Sequence, residues 1–243
     1  MPHARRWFVT LSVVALAAAC GGTAAAQSYD QSHTATQIAN DSASSVKSVK
    51  SEHVKFDGTT TSGQIGFEAD VSGQDFNGTI TMSGQSLKVI AVGGKVYVYG
   101  PDILTVAPIS DPTLAARVKA LVGTNWVVLP NSSTVTGDLS SVLDMSSIST
   151  CITSLTGLKK KGTSTIEGDA VVEVDDSSGG QLFVLIASPH YPRRFVLTTN
   201  TCPGSGSTSS GSGTFDLTKV NATFTISAPT NVVDLTSLGI SGG

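Results

Sequence analysis

The sequence predicts an α+β fold built on an antiparallel sheet, and three observations carry that expectation. Residues 87–100 (LKVIAVGGKVYVYG) are two apolar runs, rich in β-branched and aromatic residues, on either side of Gly93-Gly94. Residues 64–71 alternate, with Ile65, Phe67, Ala69 and Val71 set against Gln64, Gly66, Glu68 and Asp70, the pattern of a half-buried strand. Helical spacing appears only early and in the middle of the chain, between two groups of strands. No strand-helix-strand alternation predicts a parallel sheet.

The hairpin at Gly93-Gly94 is the organising stretch. Two glycines accept the positive φ angles of a type I′ turn, which places Val92 opposite Lys95, Ala91 opposite Val96, Ile90 opposite Tyr97 and Val89 opposite Val98. One face then carries Leu87, Val89, Ala91, Val96 and Val98 and is wholly aliphatic. The other mixes Ile90, Val92, Tyr97 and Tyr99 with Lys88 and Lys95. An aliphatic face must be covered by helices, by a second sheet or by an apolar ligand.

Taken in order, residues 36–48 set Ile38, Ala39, Ala43 and Val46 at helical spacing, and 49–56 begin the sheet with Val54 and Phe56 opposite His53 and Lys55. Asn77-Gly78 is expected to open a short strand, and Gly84-Gln85 to turn it into the central hairpin, giving a meander. Asp111 is a candidate N-cap, Pro112 the first helical residue, and Leu114, Val118, Leu121 and Val122 the buried stripe of a helix ended by Gly123. Trp126 is expected to plug an end of the core. Residues 139–155 form a third helical stripe that brings Cys151 near its end. Strands are expected at 159–166, 170–174, 182–187, 195–199, 215–220 and 222–226, with 204–213 (GSGSTSSGSG) a low-complexity loop between two of them. Residues 229–238 close the chain.

At 243 residues the length suits one large β-rich domain or two small ones, but the composition says more. Only 14% of residues are charged, and Ser, Thr and Gly are plentiful, as in exported β proteins. With a net charge of −3 and no basic stripe, nucleic acid is excluded as a partner. Arg5 and Arg6 precede an apolar run over residues 7–19, the layout of an export signal and too short for a membrane span of about 20 residues. Losing that signal moves the net charge from −3 to −5, since it holds two arginines and no acid.

Two cleavage sites compete. Small residues before Cys20, followed by Gly21-Gly22, resemble a lipobox whose thiol carries lipid, although Ala17 stands where leucine is usual. Ala24-Ala25-Ala26 before Gln27 is an ordinary small-x-small site, which would yield a freely secreted protein. The expected layout is a signal at 1–19, a flexible tether at 20–34 and a single domain at 35–243. Outside the cytoplasm, Cys151 and Cys202 are expected to form a disulfide closing a loop of about 50 residues. No CxxC or HExxH occurs and the histidines are scattered, so neither a metal site nor a cofactor is expected.

Catalytic motifs fail on context. Ser241 has nucleophile-elbow spacing but no residues beyond Gly243 to supply the acid and histidine, and the SxxK spacing at Ser44 lacks its partner motifs, so no enzyme is expected. Glu52-His53, Asp175-Asp176 and Glu167 with Asp169 read as a solvated strand face, a turn and a hairpin tip. Arg193 and Arg194, set at a strand's start by Pro189 and Pro192, read either as solvent charges at an edge or as contacts to a lipid headgroup, for which a guanidinium is suited.

Cys20, the early helix, SVKSEH at 48–53, the VGGKVYVYG hairpin, the Trp126 segment, DLSSVLDMSSI, KGTSTIEGDAVVEV and SPHYPRR together resemble the LppX/LprG/LprA/LprF lipoproteins of actinobacteria, which are distantly similar to the LolA and LolB carriers. The resemblance spans residues 44–226. It implies a curved antiparallel half-barrel with helices packed on its concave face, enclosing a pocket for the acyl chains of lipids or acylated glycolipids. Ile65, Phe67, Val89, Val96, Val98, Leu121 and Leu143 are the candidate lining, with the chain held at the outer face of the cytoplasmic membrane through Cys20. The other reading keeps the fold but closes the interior, leaving a structural or interaction lipoprotein with an envelope protein as partner. A lined cavity and a packed core use the same residues.

Overall fold

A computed structural model describes residues 29–60, 63–106, 111–129, 145–198 and 211–234. The described chain runs α1 (Ala35–Val46), β1 (Ser51–Thr60), β2 (Gly63–Ser72), β3 (Asp75–Met82), β4 (Gln85–Val92), β5 (Lys95–Tyr99), α2 (Gly100–Val106), α3 (Pro112–Val122) and β6 (Trp126–Leu129). It continues through α4 (Met145–Ser154), β7 (Lys159–Ile166), β8 (Asp169–Asp175), β9 (Gln181–Leu185), β10 (Pro192–Leu197), β11 (Ser212–Thr218) and β12 (Val232–Asp234). The strands form one open, twelve-stranded sheet in the order β12-β6-β5-β4-β3-β2-β1-β11-β10-β9-β8-β7. Every pair is antiparallel except β12 with β6, a parallel pair that the sequence pattern did not foretell.

The fold is thus two meanders, β1 to β6 and β7 to β11, joined edge to edge where Val54 of β1 lies opposite Leu217 of β11. The central hairpin has the expected register. Gly93 and Gly94 take φ of 59° and 74°, and all four cross-strand pairs from Val92↔Lys95 to Val89↔Val98 form. Asn77-Gly78, by contrast, does not open its strand, which starts at Asp75. The chain reverses earlier, at Gly73 (φ 61°), and Gly78 lies inside β3 opposite Ala69 and Val89.

That glycine is small for a packing reason. A Cβ there would meet Ala69 Cβ and Glu68 O at 2.4 Å each. Phe67 and Phe76, which share this face on either side of the Gly78-Ala69 pair, meet with ring centroids 6.1 Å apart at 77°, an edge-to-face contact.

The helices follow their caps. Thr34 Oγ1 accepts from Gln37 N while the Gln37 side chain accepts from Thr34 N, a capping box that starts α1. Asp111 Oδ1 accepts from Thr113 N at 2.7 Å, starting α3 one residue before Pro112 as expected. Ile38, Ala39, Ala43 and Val46 of α1 and Ile152 of α4 belong to one buried cluster with Val54, Phe67, Val89, Val98, Leu182 and Phe215 of the sheet. Val118 and Val122 of α3 form a smaller cluster with Val127. Ser149 Oγ donates to Ala43 O at 2.8 Å, tying α4 to α1.

Two expectations are corrected at the C-terminal end. Residues 222–226 do not pair as a strand, because Lys219 and Asn221, at φ 48° and 57°, turn the chain out of the sheet. The segment instead runs past Ile90 and Trp126, which share a cleft with residues 225 and 227–231, before β12 joins β6. Trp126 does not plug the core. It pairs opposite Tyr99 with the two rings 5.5 Å apart, while its neighbour Val127 is the buried residue of β6.

At the other end, residues 29–32 form a helical turn, and Tyr29 stacks on His190 at 3.9 Å. The stretch expected to be a tether is therefore docked from Tyr29 onward. Gly78→Ala should lower the thermal midpoint by roughly 4–8 °C, since overpacking at a backbone contact costs on the order of 2 kcal/mol; a scan by circular dichroism checks it.

Candidate functional site

Cross-strand pairing sorts the inner residues into rows. The first row is Val127, Val98, Val89, Gly78, Ala69, Val54 and Leu217, one from each of seven adjacent strands. The second is Leu87, Ile80, Phe67, Phe56, Phe215, Phe195, Leu182 and Val174, with four phenylalanines at its centre. The third is Leu129, Val96, Ala91, Phe76, Val71 and Glu52. Period-two alternation explains each membership, because every strand offers the same parity to this face. The result is a broad apolar surface with one carboxyl at the end of its last row.

Of the residues expected to line a pocket, Phe67, Val89, Val96 and Val98 lie together in the main core cluster. Ile65 is half-buried on β2, opposite Gly58 and Met82. Leu121 is half-buried on α3, beside the cluster of Val118, Val122 and Val127, and Leu143 lies outside the described residues. Val46, Val54 and Val89 are fully buried, so side chains fill the interior at these positions. Two open clefts lie elsewhere. One, of about 490 Å³, is lined by Ser48, Lys50, Ser51, Ser72 and residues 221–224; the other, of about 420 Å³, is the one beside Ile90 and Trp126.

Arg193 and Arg194 meet at Asp216. Arg193, 2% exposed, donates from Nε to Asp169 at 3.0 Å, from Nη1 to Asp216 at 3.2 Å and from Nη2 to Glu167 at 2.6 Å. Arg194 makes a two-point contact with Asp216 at 2.7 and 3.0 Å, which raises its already high pKa. Asp216 alternates with Phe215 and Leu217, so it projects from the face opposite the apolar rows. The network binds the β7–β8 turn to β10 and β11. His53, on that same outer face, holds Asp70 at 2.7 Å. Cys151 is half-buried in α4 against the core, and Cys202 lies outside the described residues, as does Cys20.

Glu52 is the residue that sequence reasoning misplaced. Its charge beside His53 suggests a solvated face, yet it shares the parity of Val54 and is 2% exposed. The alternation in residues 51–56 already held that signal. Among the described residues its side chain has no hydrogen bond or ion pair. Burial alone pushes its pKa up to about 7, with no charged neighbour contributing.

A second buried polar group, Ser42 Oγ on α1, also lacks a partner among the described residues. The neighbouring Ser45 Oγ donates to Ser42 O at 2.8 Å and contacts His190 O at 3.2 Å. Tyr29 beside them, hydrogen-bonded to Asp41 at 3.1 Å, has its pKa raised by burial and by that carboxylate. Among the described residues no His/Cys/Asp/Glu group is placed to hold a metal.

A carboxyl whose folded pKa is raised favours the folded state at low pH. The contribution of Glu52 is full below about 4.5 and is lost as the pH rises to about 7. Glu52→Gln should therefore gain stability over the wild type across that window, by up to about 3 kcal/mol, and keep the gain above it. Urea titrations of both proteins at pH 4.5 and 8 measure the difference.

No protein-family profile matches the chain, and no curated protein matches it. Solved structures do. LprF from Mycobacterium bovis superposes with a TM-score of 0.55 at 16% identity, over 80% of this chain and 96% of LprF. The Mycobacterium tuberculosis lipoprotein LppX gives a TM-score of 0.48 at 16% identity, over 79% of this chain and 98% of LppX. The α+β architecture of one large open sheet with few helices is thus the fold of the mycobacterial protein LprF.

Proposed function

We propose that this chain is an exported envelope lipoprotein, anchored through Cys20, whose sheet curves into a half-barrel and holds acyl chains of a lipid or acylated glycolipid between its concave face and the helices. The observation that carries this reading is the mismatch between the sheet face and its cover. The face presents three rows of aliphatic and phenylalanine side chains. The buried side of α1, by contrast, is Ile38, Ala39, Ser42, Ala43, Ser45 and Val46, only two of them large and apolar.

Magnitudes favour exchange. Burying two large aliphatic side chains stabilises by about 3–6 kcal/mol. An acyl chain a dozen methylenes long would contribute about 10 kcal/mol in their place. A lid of alanines and serines is displaced more readily than a leucine-rich one.

A disulfide from Cys151 to Cys202 would tie α4, the second helix of the cover, to the segment before β11. A headgroup contacting Arg194 would compete with Asp216 for the guanidinium. The alternative, an interaction lipoprotein with a closed interior, is favoured by the full burial of Val46, Val54 and Val89.

Native mass spectrometry of the purified chain separates the two. The acyl-binding reading expects co-purifying masses of several hundred daltons or more, released on denaturation and lost in Val98→Trp, which fills the apolar face with a bulky ring. The protein itself should weigh two hydrogens less than its reduced form. Bare wild-type protein that stays bare after incubation with envelope lipids would leave the closed interaction domain.

A further inference from the structure

We infer that the inner carboxyl of Glu52 is a hydrogen-bonding anchor for an acyl amphiphile, contacting the ester or hydroxyl oxygen where the acyl chain joins its head. The inference rests on the acyl-binding reading and assigns the polar end of that site.

Glu52 ends the third row of the apolar face, opposite Val71 and in line with Phe76, Ala91, Val96 and Leu129. That row is the rim. One or two residues beyond it the strands give way to the turns at Gly73 and at Gly93-Gly94, and α1 reaches β1 through the exposed Lys47 and Lys50. In the other direction lie the first row and then the phenylalanine-rich second row, neither of which holds a charged side chain from β1 to β5. A ligand whose chain runs across those rows toward Phe67 and Ile80 brings its first oxygen to Glu52.

The side chain is suited to the contact because no described residue pairs with it. A buried polar group without a partner costs stability that a partner would restore. Glu52 is 2% exposed and has no partner among the described residues. A protonated carboxyl in an apolar setting donates one hydrogen bond and still accepts, so it pairs with an ester carbonyl or a hydroxyl but not with a hydrocarbon. Ser42 Oγ, fully buried on the covering helix, is a second polar atom beneath the cover without a partner among the described residues. Two such groups, one on the sheet and one on its cover, favour an oxygen-bearing ligand over a purely hydrocarbon one.

The test compares the full-length wild type with Glu52→Leu and Glu52→Gln at pH 6, using tritiated 1-palmitoylglycerol and tritiated hexadecane as probes and circular dichroism to verify folding. Glu52→Leu matches the apolar row and should fold at least as well as the wild type. The expected result is that it binds palmitoylglycerol about tenfold more weakly and hexadecane as tightly as, or more tightly than, the wild type. Glu52→Gln, which keeps a donor and an acceptor, should stay within about twofold for both probes. Palmitoylglycerol binding by Glu52→Leu as tight as that of the wild type would overturn the anchor while leaving the acyl site standing. A wild type that binds neither probe would overturn both.

Discussion

The face that runs from Val127 through Val98, Val89 and Val54 to Leu217 has to be kept from water, and the rest of the architecture answers that demand. A sheet of this width exposes far more apolar area on one side than a soluble protein leaves open. Strand pairing alone cannot remove it, because ladders satisfy backbone groups and leave both faces bare. Helices α1 and α4 join the main cluster of this face, and α3 buries Val118 and Val122 against Val127 at the β6 end. The smallness of Gly78 and Ala69 sets how closely β2 and β3 pack and leaves Phe67 and Phe76 to meet over them.

The covering helix is built for close approach more than for apolar mass. Alanine and serine on the buried side of α1 let α4 come near enough for Ser149 to reach the Ala43 carbonyl, a backbone contact that long side chains would prevent. The same residues bury little apolar area, so the cover is held by a few aliphatic side chains, by Ser45 reaching the His190 carbonyl and by Tyr29 stacked on His190. The cover thus holds to the sheet through few large apolar side chains, and the acyl-binding proposal rests on that.

The outer face follows different physics. Asp216 draws Arg193 and Arg194 together, and the burial of Arg193 is tolerable because all three of its donor nitrogens meet carboxylates. His53 with Asp70, and Lys55 with Asp57, continue the charge on exposed strand positions. Where this face is apolar, at Ile90 and Tyr97, the two residues are nonetheless buried, and the C-terminal segment passes beside Ile90. Opposite faces of one sheet thus take opposite solutions, ion pairs on one and helices on the other.

Much of the local structure was legible in the sequence. Gly93-Gly94 set the hairpin register, the cap at Asp111 sits at a helix start, and the alternation in β1 and β2 sorted the two faces, including Glu52, whose parity pointed inward while its charge suggested solvent. These signals work because turn chemistry, capping and period-two alternation act over two to four residues. The tertiary structure alone decided which strands meet across distance: β1 with β11, more than 150 residues later, and the parallel seat of β12 on β6. It also decided that Arg193 is buried among acids, that Trp126 packs on Tyr99 and that Ala222 leaves the sheet. Those outcomes depend on which surfaces are complementary once the chain is compact, and a strand's own residues do not encode the identity of its partner.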